Sequence, residues 1–359
     1  RMETNLTPED AYWGAKLAAL EMLEAGVTCV ADHYLHMEAV APAFAEAGLR
    51  AHLAPTMFGA DPDGELGRAR AFAEAWHGHD AGRIRAWLGP HSPYLCSGDF
   101  LKRVRAEADA LEVGVHLHVS ETAGQVTASL HEHGLTPIAY LHNLGLLDGP
   151  ALLAHATHAT ADDLSLLAAS GAGVAHCPKT FLKLASGILD VAGACMAGVR
   201  VGLGTDGAAS NNTLDVLEGA RLTALLQKHL HQDATLLKTH EALELATKGG
   251  AAALGMDDEL GTLRVGAWAD LILVDLAGPH LQPLHDLPAA LLYCARASDV
   301  RTVIVRGRVL MRDREHLTLD RAEIIREAAN RGLRLAATPA AGRLQEFPEP
   351  RRGRARAES

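Results

Sequence analysis

The chain has 359 residues, 48% of them hydrophobic and only 4% aromatic, with a formal charge of −11. This length and apolar content leave room for an α/β barrel of roughly 200–250 residues plus a small satellite. The negative balance argues against a general nucleic-acid binder, which normally shows a basic face. Cys29, Cys96, Cys177, Cys195 and Cys294 are odd in number and scattered, with no C-x-x-C. They speak against a disulfide scaffold or zinc ribbon and for a reducing, cytoplasmic setting. No apolar run reaches transmembrane length and no signal peptide opens the sequence, so no membrane partner is expected.

In chain order, Thr7 and Pro8 read as the N-cap and first residue of a helix over 9–25. Short apolar segments then predict strands at 27–34, 50–57, 84–90, 113–119, 151–156, 171–177 and 200–205. Helical patterns fall at 99–111, 122–133 and 161–169, and two more follow at 214–230 and 239–254. Strand starts roughly 20–38 residues apart with helical crossovers predict a parallel sheet of βα units. Seven strands are read where a closed barrel has eight, and the chain opens with a helix. The expected fold is therefore α/β, a (β/α)8 TIM-like barrel over 1–258 lacking its first strand. From about 260 the texture changes to short strands and turns, predicting a partial β-sandwich satellite over 259–320. A helix over 321–335 and a disordered tail over 336–359 complete the expected organisation.

Barrel active sites lie at the C-terminal ends of the strands. His91 ends one predicted strand (GPHSPY), His118 and Glu121 the next (HLHVSET), His155 another (LAHATH) and Asp206 the last (GLGTDG). Imidazoles and a carboxylate in such a ring suit a divalent metal that activates water. Glu121, three residues past His118, would reach the substrate and carry a proton. His155 lies nearer its strand end than His158 and is the preferred candidate. His116 is read as structural, on the face opposite His118, and Cys177 as buried packing rather than a nucleophile. His176 is equally compatible with a site or a packing role. The clusters His77/His79 and His229/His231 lie in polar stretches and are read as solvated. Gly202, Gly204 and Gly207 spell G-x-G-x-x-G, but at the end of the seventh strand, around an Asp and without an immediate helix, which argues against a dinucleotide site.

GPHSPYLCS (89–97), HLHVSET (116–122), LAHATH (153–158), GLGTDGAASNNTLDVLEGARLTALLQK (202–228) and GTLRVGAWADLILVD (261–275) resemble motifs of the 5-methylthioadenosine/S-adenosylhomocysteine deaminase group of amidohydrolases. The resemblance implies hydrolytic deamination at C6 of an adenine ring, with release of ammonia. It makes His118 and Asp206 metal ligands, Glu121 the residue that protonates the ring nitrogen, His155 a contact of the attacking water and His91 a substrate contact. Asp206 also handles the water's proton. One divalent metal is implied, zinc first, with iron or nickel as alternatives, and a homodimer or higher homo-oligomer is the expected assembly. The family's H-x-H, supplying two further ligands, does not precede residue 10. Its N-P-x-S-N reads CPKTF here (177–181). These departures keep two alternatives open: a sister amidohydrolase acting on guanine, a triazine or a chlorinated ring, and a non-catalytic barrel. They also give the expectation of a chain truncated at its N-terminus.

Overall fold

In the computed structural model, which describes residues 3–339, the parallel strands fall where the apolar segments place them. They are β1 (Cys29–Tyr34), β2 (Arg50–Met57), β3 (Ile84–Ala86), β4 (Gly89–Pro90), β5 (Val115–Val119), β6 (Ala151–His155), β7 (Gly173–His176) and β8 (Arg200–Leu203). β3 and β4 are two parts of the single predicted strand over 84–90, and both pair with β2. One parallel sheet runs β1-β2-β3 with β4, and a second runs β5-β6-β7-β8. A parallel bridge between Leu88 and Val115 joins them. His116 N donates to Leu88 O at 2.9 Å and His118 N to His91 O at 2.9 Å across the same seam. The result is one barrel-like series of seven parallel positions. Among the described residues, β1 and β8 are its two edges.

Both faces of the inner strands are covered, so their sequences are largely apolar runs, whereas β1 at the edge is only partly buried. Leu53, Leu88, Leu117, Leu153 and Val174 are each at most 1% exposed. The first helix, α1 (Pro8–Glu24), starts as the sequence predicts. Thr7 Oγ1 accepts from Asp10 N, and Thr7 N donates to the Asp10 carboxylate at 2.9 Å, a reciprocal cap. The helical pattern over 239–254 is broken into Thr239–Glu244, a π-turn over Leu245–Gly249 and Gly250–Ala253. This segment presses on β8. A Cβ on Gly202 would lie 2.7 Å from Gly250 Cα, which accounts for the first glycine of the dinucleotide-like motif by packing alone.

β9 (Leu271–Val274), β10 (Val300–Val305), β11 (Arg308–Arg312) and β12 (Glu315–His316) form an antiparallel sheet in the order β12-β11-β10-β9. Its residues Val300, Val303, Leu310 and Met311 share a core with Leu20, Leu23 and Phe44 of the barrel helices. Arg50, the first residue of β2, makes a two-pronged pair with Asp270 at 2.8 and 3.1 Å, and both side chains are at most 4% exposed. Removing one partner of such a pair leaves a buried charge and costs about 3–5 kcal/mol. The last helix runs Arg321–Ala337, two residues beyond the predicted end. The rest of the expected tail, 340–359, lies outside the described residues. All five cysteines are unpaired. No helix among the described residues is long and apolar enough to cross a membrane.

Candidate active site

Parallel strands direct their C-terminal ends to one end of the barrel, and that is where the histidines collect. His91 follows β4, and its amide donates to Met57 O at 2.8 Å, which fixes the loop to β2. The His91 and His118 rings stack with centroids 4.6 Å apart, and His118 and His155 stack at 5.3 Å. Three strand ends, β4, β5 and β6, thus present their imidazoles as one column. Phe58 lies against the outer ring, 5.3 Å from His91. The backbone here departs from ordinary strand geometry. Ser120, His155 and Asp206 all have positive φ, at 47°, 78° and 58°. Such conformations in non-glycine residues cost of order 1–3 kcal/mol each and gather where function demands them.

His118 Nδ1 lies 2.9 Å from the His91 carbonyl oxygen. A carbonyl only accepts, so Nδ1 carries the proton and Nε2 is left with its lone pair. Burial, then the His118 ring, pushes His155 below its ordinary value, while the Glu121 and Asp206 carboxylates pull it upward. The two carboxylates therefore share the field of that imidazole. Glu121 sits just beyond β5, half-buried, with its amide donating to Gln125 Oε1 at 3.0 Å. Asp206 is exposed, and its two oxygens accept from Gly207 N and Ser210 Oγ, both at 2.7 Å.

His33 on β1 is a member that the sequence reading missed. Its ring lies 5.0 Å from His118 and 5.2 Å from His116. Nε2 donates to Gly89 O at 3.0 Å, leaving Nδ1 buried and without a partner. A Cβ on Gly89 would come within 2.9 Å of that ring and 2.5 Å of Pro55 O, so glycine is required for the niche. The signal was present, since His33 ends its strand segment as His118 and His155 end theirs. The expectation for His116 is corrected. Residues two apart on a strand share a face, so His116 points to the barrel interior with His118, not away from it. His176 is fully buried, and neither of its ring nitrogens has a hydrogen-bond partner. His158 turns aside, with Nε2 donating to Ser186 O. His77 and His231 are exposed, as expected for solvated positions, but each has a partner, the Ala86 carbonyl and the Asp190 carboxylate respectively.

Burial, with the neighbouring imidazoles second, lowers His91, His116 and His176 to about 3. These rings are neutral at physiological pH, the form in which imidazole binds a metal. His118, with Nδ1 on a carbonyl and Nε2 free, and the nearby Asp206 carboxylate fit a divalent ion in donor chemistry, and His155 keeps a buried, unpartnered Nδ1 beside them. Among the described residues, no group of three or more His, Cys, Asp or Glu converges on a metal position. The depressed histidines also set a pH dependence. Folded His176 stays neutral down to about 3, whereas in the unfolded chain it protonates near 6.5. Its titration therefore costs nothing above about 6.5 and destabilises the fold increasingly as pH falls toward 3, because only the unfolded chain takes up the proton. In His176→Leu, stability measured by urea unfolding should fall less steeply between pH 6 and 4, by up to about 1.4 kcal/mol per pH unit. Parallel slopes in parent and variant would contradict this.

A parallel α/β barrel with titratable groups at its strand ends is the frame of a barrel hydrolase. The chain belongs to the amidohydrolase family, whose model matches residues 1–310. It is 47% identical over 331 residues to a 5-methylthioadenosine/S-adenosylhomocysteine deaminase of Moorella thermoacetica, covering 92% of this chain and 77% of that protein. Among solved structures it resembles a zinc-bound adenosine deaminase from Xanthomonas campestris, with TM-score 0.89, 35% identity, and coverage of 93% and 77%. It also resembles an atrazine chlorohydrolase from Arthrobacter aurescens complexed with zinc, with TM-score 0.85, 26% identity, and coverage of 90% and 77%.

Proposed function

We propose that this chain is a hydrolytic deaminase of adenine-type nucleosides, namely 5-methylthioadenosine, S-adenosylhomocysteine or adenosine, and that it releases ammonia. The observation that carries this reading is the stacked column of His91, His118 and His155, with Glu121 and Asp206 acting on the same imidazole. Relatives bearing that activity in their names support it. His118 and Asp206 would hold a divalent metal, zinc in the first instance, together with ligands that the described residues do not complete. When bound, the metal would lower the pKa of a water and polarise the reacting centre.

The chain's own residues then divide the proton work. His155 orients the water's oxygen toward C6 through a hydrogen bond. Glu121, in its acid form, gives a proton to N1 as the C6–O bond forms. Asp206 takes a proton from the water and passes it to the 6-amino group. The C6–N bond breaks, ammonia leaves, the remaining hydroxyl proton returns to the Glu121 carboxylate, and the product keeps the water's oxygen as the C6 carbonyl. His91 contacts the ring, with Phe58 closing the column on its far side. Residues 1–258 are the catalytic unit in this reading and 259–320 its satellite. The protein works in the cytoplasm on a small molecule, as a homodimer or larger homo-oligomer.

A second reading, a sister amidohydrolase on a triazine or chlorinated ring, draws on the likeness to the chlorohydrolase at 26% identity. A panel of 6-aminopurine nucleosides and chlorinated triazines, assayed with zinc for ammonia and chloride, separates the two. Ammonia from the nucleosides is expected. Chloride alone would favour the second reading.

A further inference from the structure

CPKTF (177–181), where the family pattern is broken, opens a short helix over Pro178–Leu184, next to the loop that carries Asp206. Lys179 and Lys183 are four residues apart and share one helix face. Lys183 Nζ donates to Ala209 O at 3.1 Å and to Asn212 Oδ1 at 2.5 Å. Lys179 Nζ donates to Thr213 Oγ1 at 2.9 Å and to both oxygens of Glu218, at 3.0 and 2.8 Å. Thr213 Oγ1 also donates to Glu218, at 2.7 Å. Between the two lysines, Thr180 donates to the carbonyl of Thr205, the residue before Asp206, at 3.3 Å. The helix therefore touches the 205–213 segment at its start, middle and end.

That segment has little else to fix it. Its one helical turn, Ala208–Asn211, is four residues long, and only Asn211 in it is buried. Asp206 and Asn212 both have positive φ, at 58° and 70°. Ser210, whose hydroxyl donates to Asp206 Oδ2, lies inside the gripped stretch. On the other side Glu218 is firmly based. It stands in the first turn of the sixteen-residue helix Val216–His231, with its amide capped by Asp215 at 3.0 Å. Burial alone would raise the Glu218 carboxyl, but the Lys179 ammonium and the Thr213 hydroxyl outweigh it and hold it below its ordinary value.

We propose that Lys179 and Glu218, with Lys183, are positioning residues that hold the Asp206 loop in its reacting geometry. The proposal rests on Asp206 acting in deamination. Substrate is held by His91 and Glu121 on other strands, so loosening the clamp should act on the chemical step more than on binding. Misplacement of a reacting group by about 1 Å can cost about 10²-fold.

The test compares Lys179→Met, Lys183→Met and Glu218→Gln with Lys179→Arg, which keeps the charge. Amide hydrogen exchange of 206–213 is read beside kcat and KM for 5-methylthioadenosine with zinc. In the first three variants, exchange in 206–213 should rise about tenfold or more while β5 and β6 stay protected. In Lys179→Met, kcat should fall about 10–100-fold with KM within about threefold, and Lys179→Arg should recover most of both. Unchanged exchange in 206–213 overturns the clamp. Faster exchange with unchanged kcat overturns its role in catalysis. If the parent protein deaminates no nucleoside but the exchange pattern is as expected, the functional reading fails while the clamp stands. A Lys179→Met chain that does not fold leaves the decision to Glu218→Gln and Lys183→Met, read in the same way.

Discussion

Glu121→Gln lowers kcat for 5-methylthioadenosine by about 10³-fold, within the about 10²–10⁴-fold that a positioned acid–base group contributes. KM changes less than about threefold and bound zinc stays at the parent level. Glutamine keeps the size of the side chain and its place beside Gln125, but it cannot give up a proton and recover it. Glu121 is half-buried, just past the end of β5, and its amide is tied to Gln125 Oε1 at 3.0 Å. The neutral substitution should therefore leave the loop where it is. Steady-state kinetics with zinc analysis of the same sample make the test. A rise in KM with kcat intact would reduce Glu121 to a binding contact, and loss of zinc would make it a ligand.

His118→Ala should have the larger effect. Zinc retained after dialysis falls to background, and kcat/KM drops by at least about 10⁴-fold, as expected when the activation of water is lost. His118 occupies the middle of the imidazole column, with His91 and His155 on either side and Nδ1 anchored on the His91 carbonyl. Such anchoring fixes ring orientation and sharpens the other nitrogen as a donor. Circular dichroism and the unfolding midpoint show whether the variant is folded. A folded His118→Ala protein that keeps its zinc would move the metal away from β5.

Much of the fold is legible in the sequence because buried parallel strands are short apolar runs with abrupt ends. All seven predicted strand segments coincide with observed strands, and the helix cap at Thr7 follows from a side chain that satisfies a free backbone amide. The helices over Met37–Ala47 and Pro62–Trp76 were not read. Both bury a stripe at helical spacing, Met37, Val40, Phe44 and Ala47 in the first and Leu66, Ala69 and Phe72 in the second, but Pro42 interrupts the one and small or charged residues dilute the other. The π-turn in 245–249 depends on the fit against β8, which is a tertiary effect.

The site divides in the same way. His91, His118 and His155 were found because each ends a strand, and the structure stacks their rings. His33 lies near the end of its strand too and carried the same signal, but the niche that holds it is made by the Gly89 backbone 56 residues away. His116 was misassigned through the strand's own periodicity. Asp206 lies in the predicted place, but the hold of Lys179 and Lys183 on its loop could not be read from local pattern, since their contacts span 26 to 39 residues.

The most direct measurement is to incubate the zinc-loaded protein with 5-methylthioadenosine in water enriched in heavy oxygen, following ammonia and the mass of the product. Ammonia equal to the product formed, with the heavy label at C6, is the predicted result. A folded, zinc-loaded protein that yields neither ammonia nor labelled product from 5-methylthioadenosine, S-adenosylhomocysteine or adenosine would contradict the assignment.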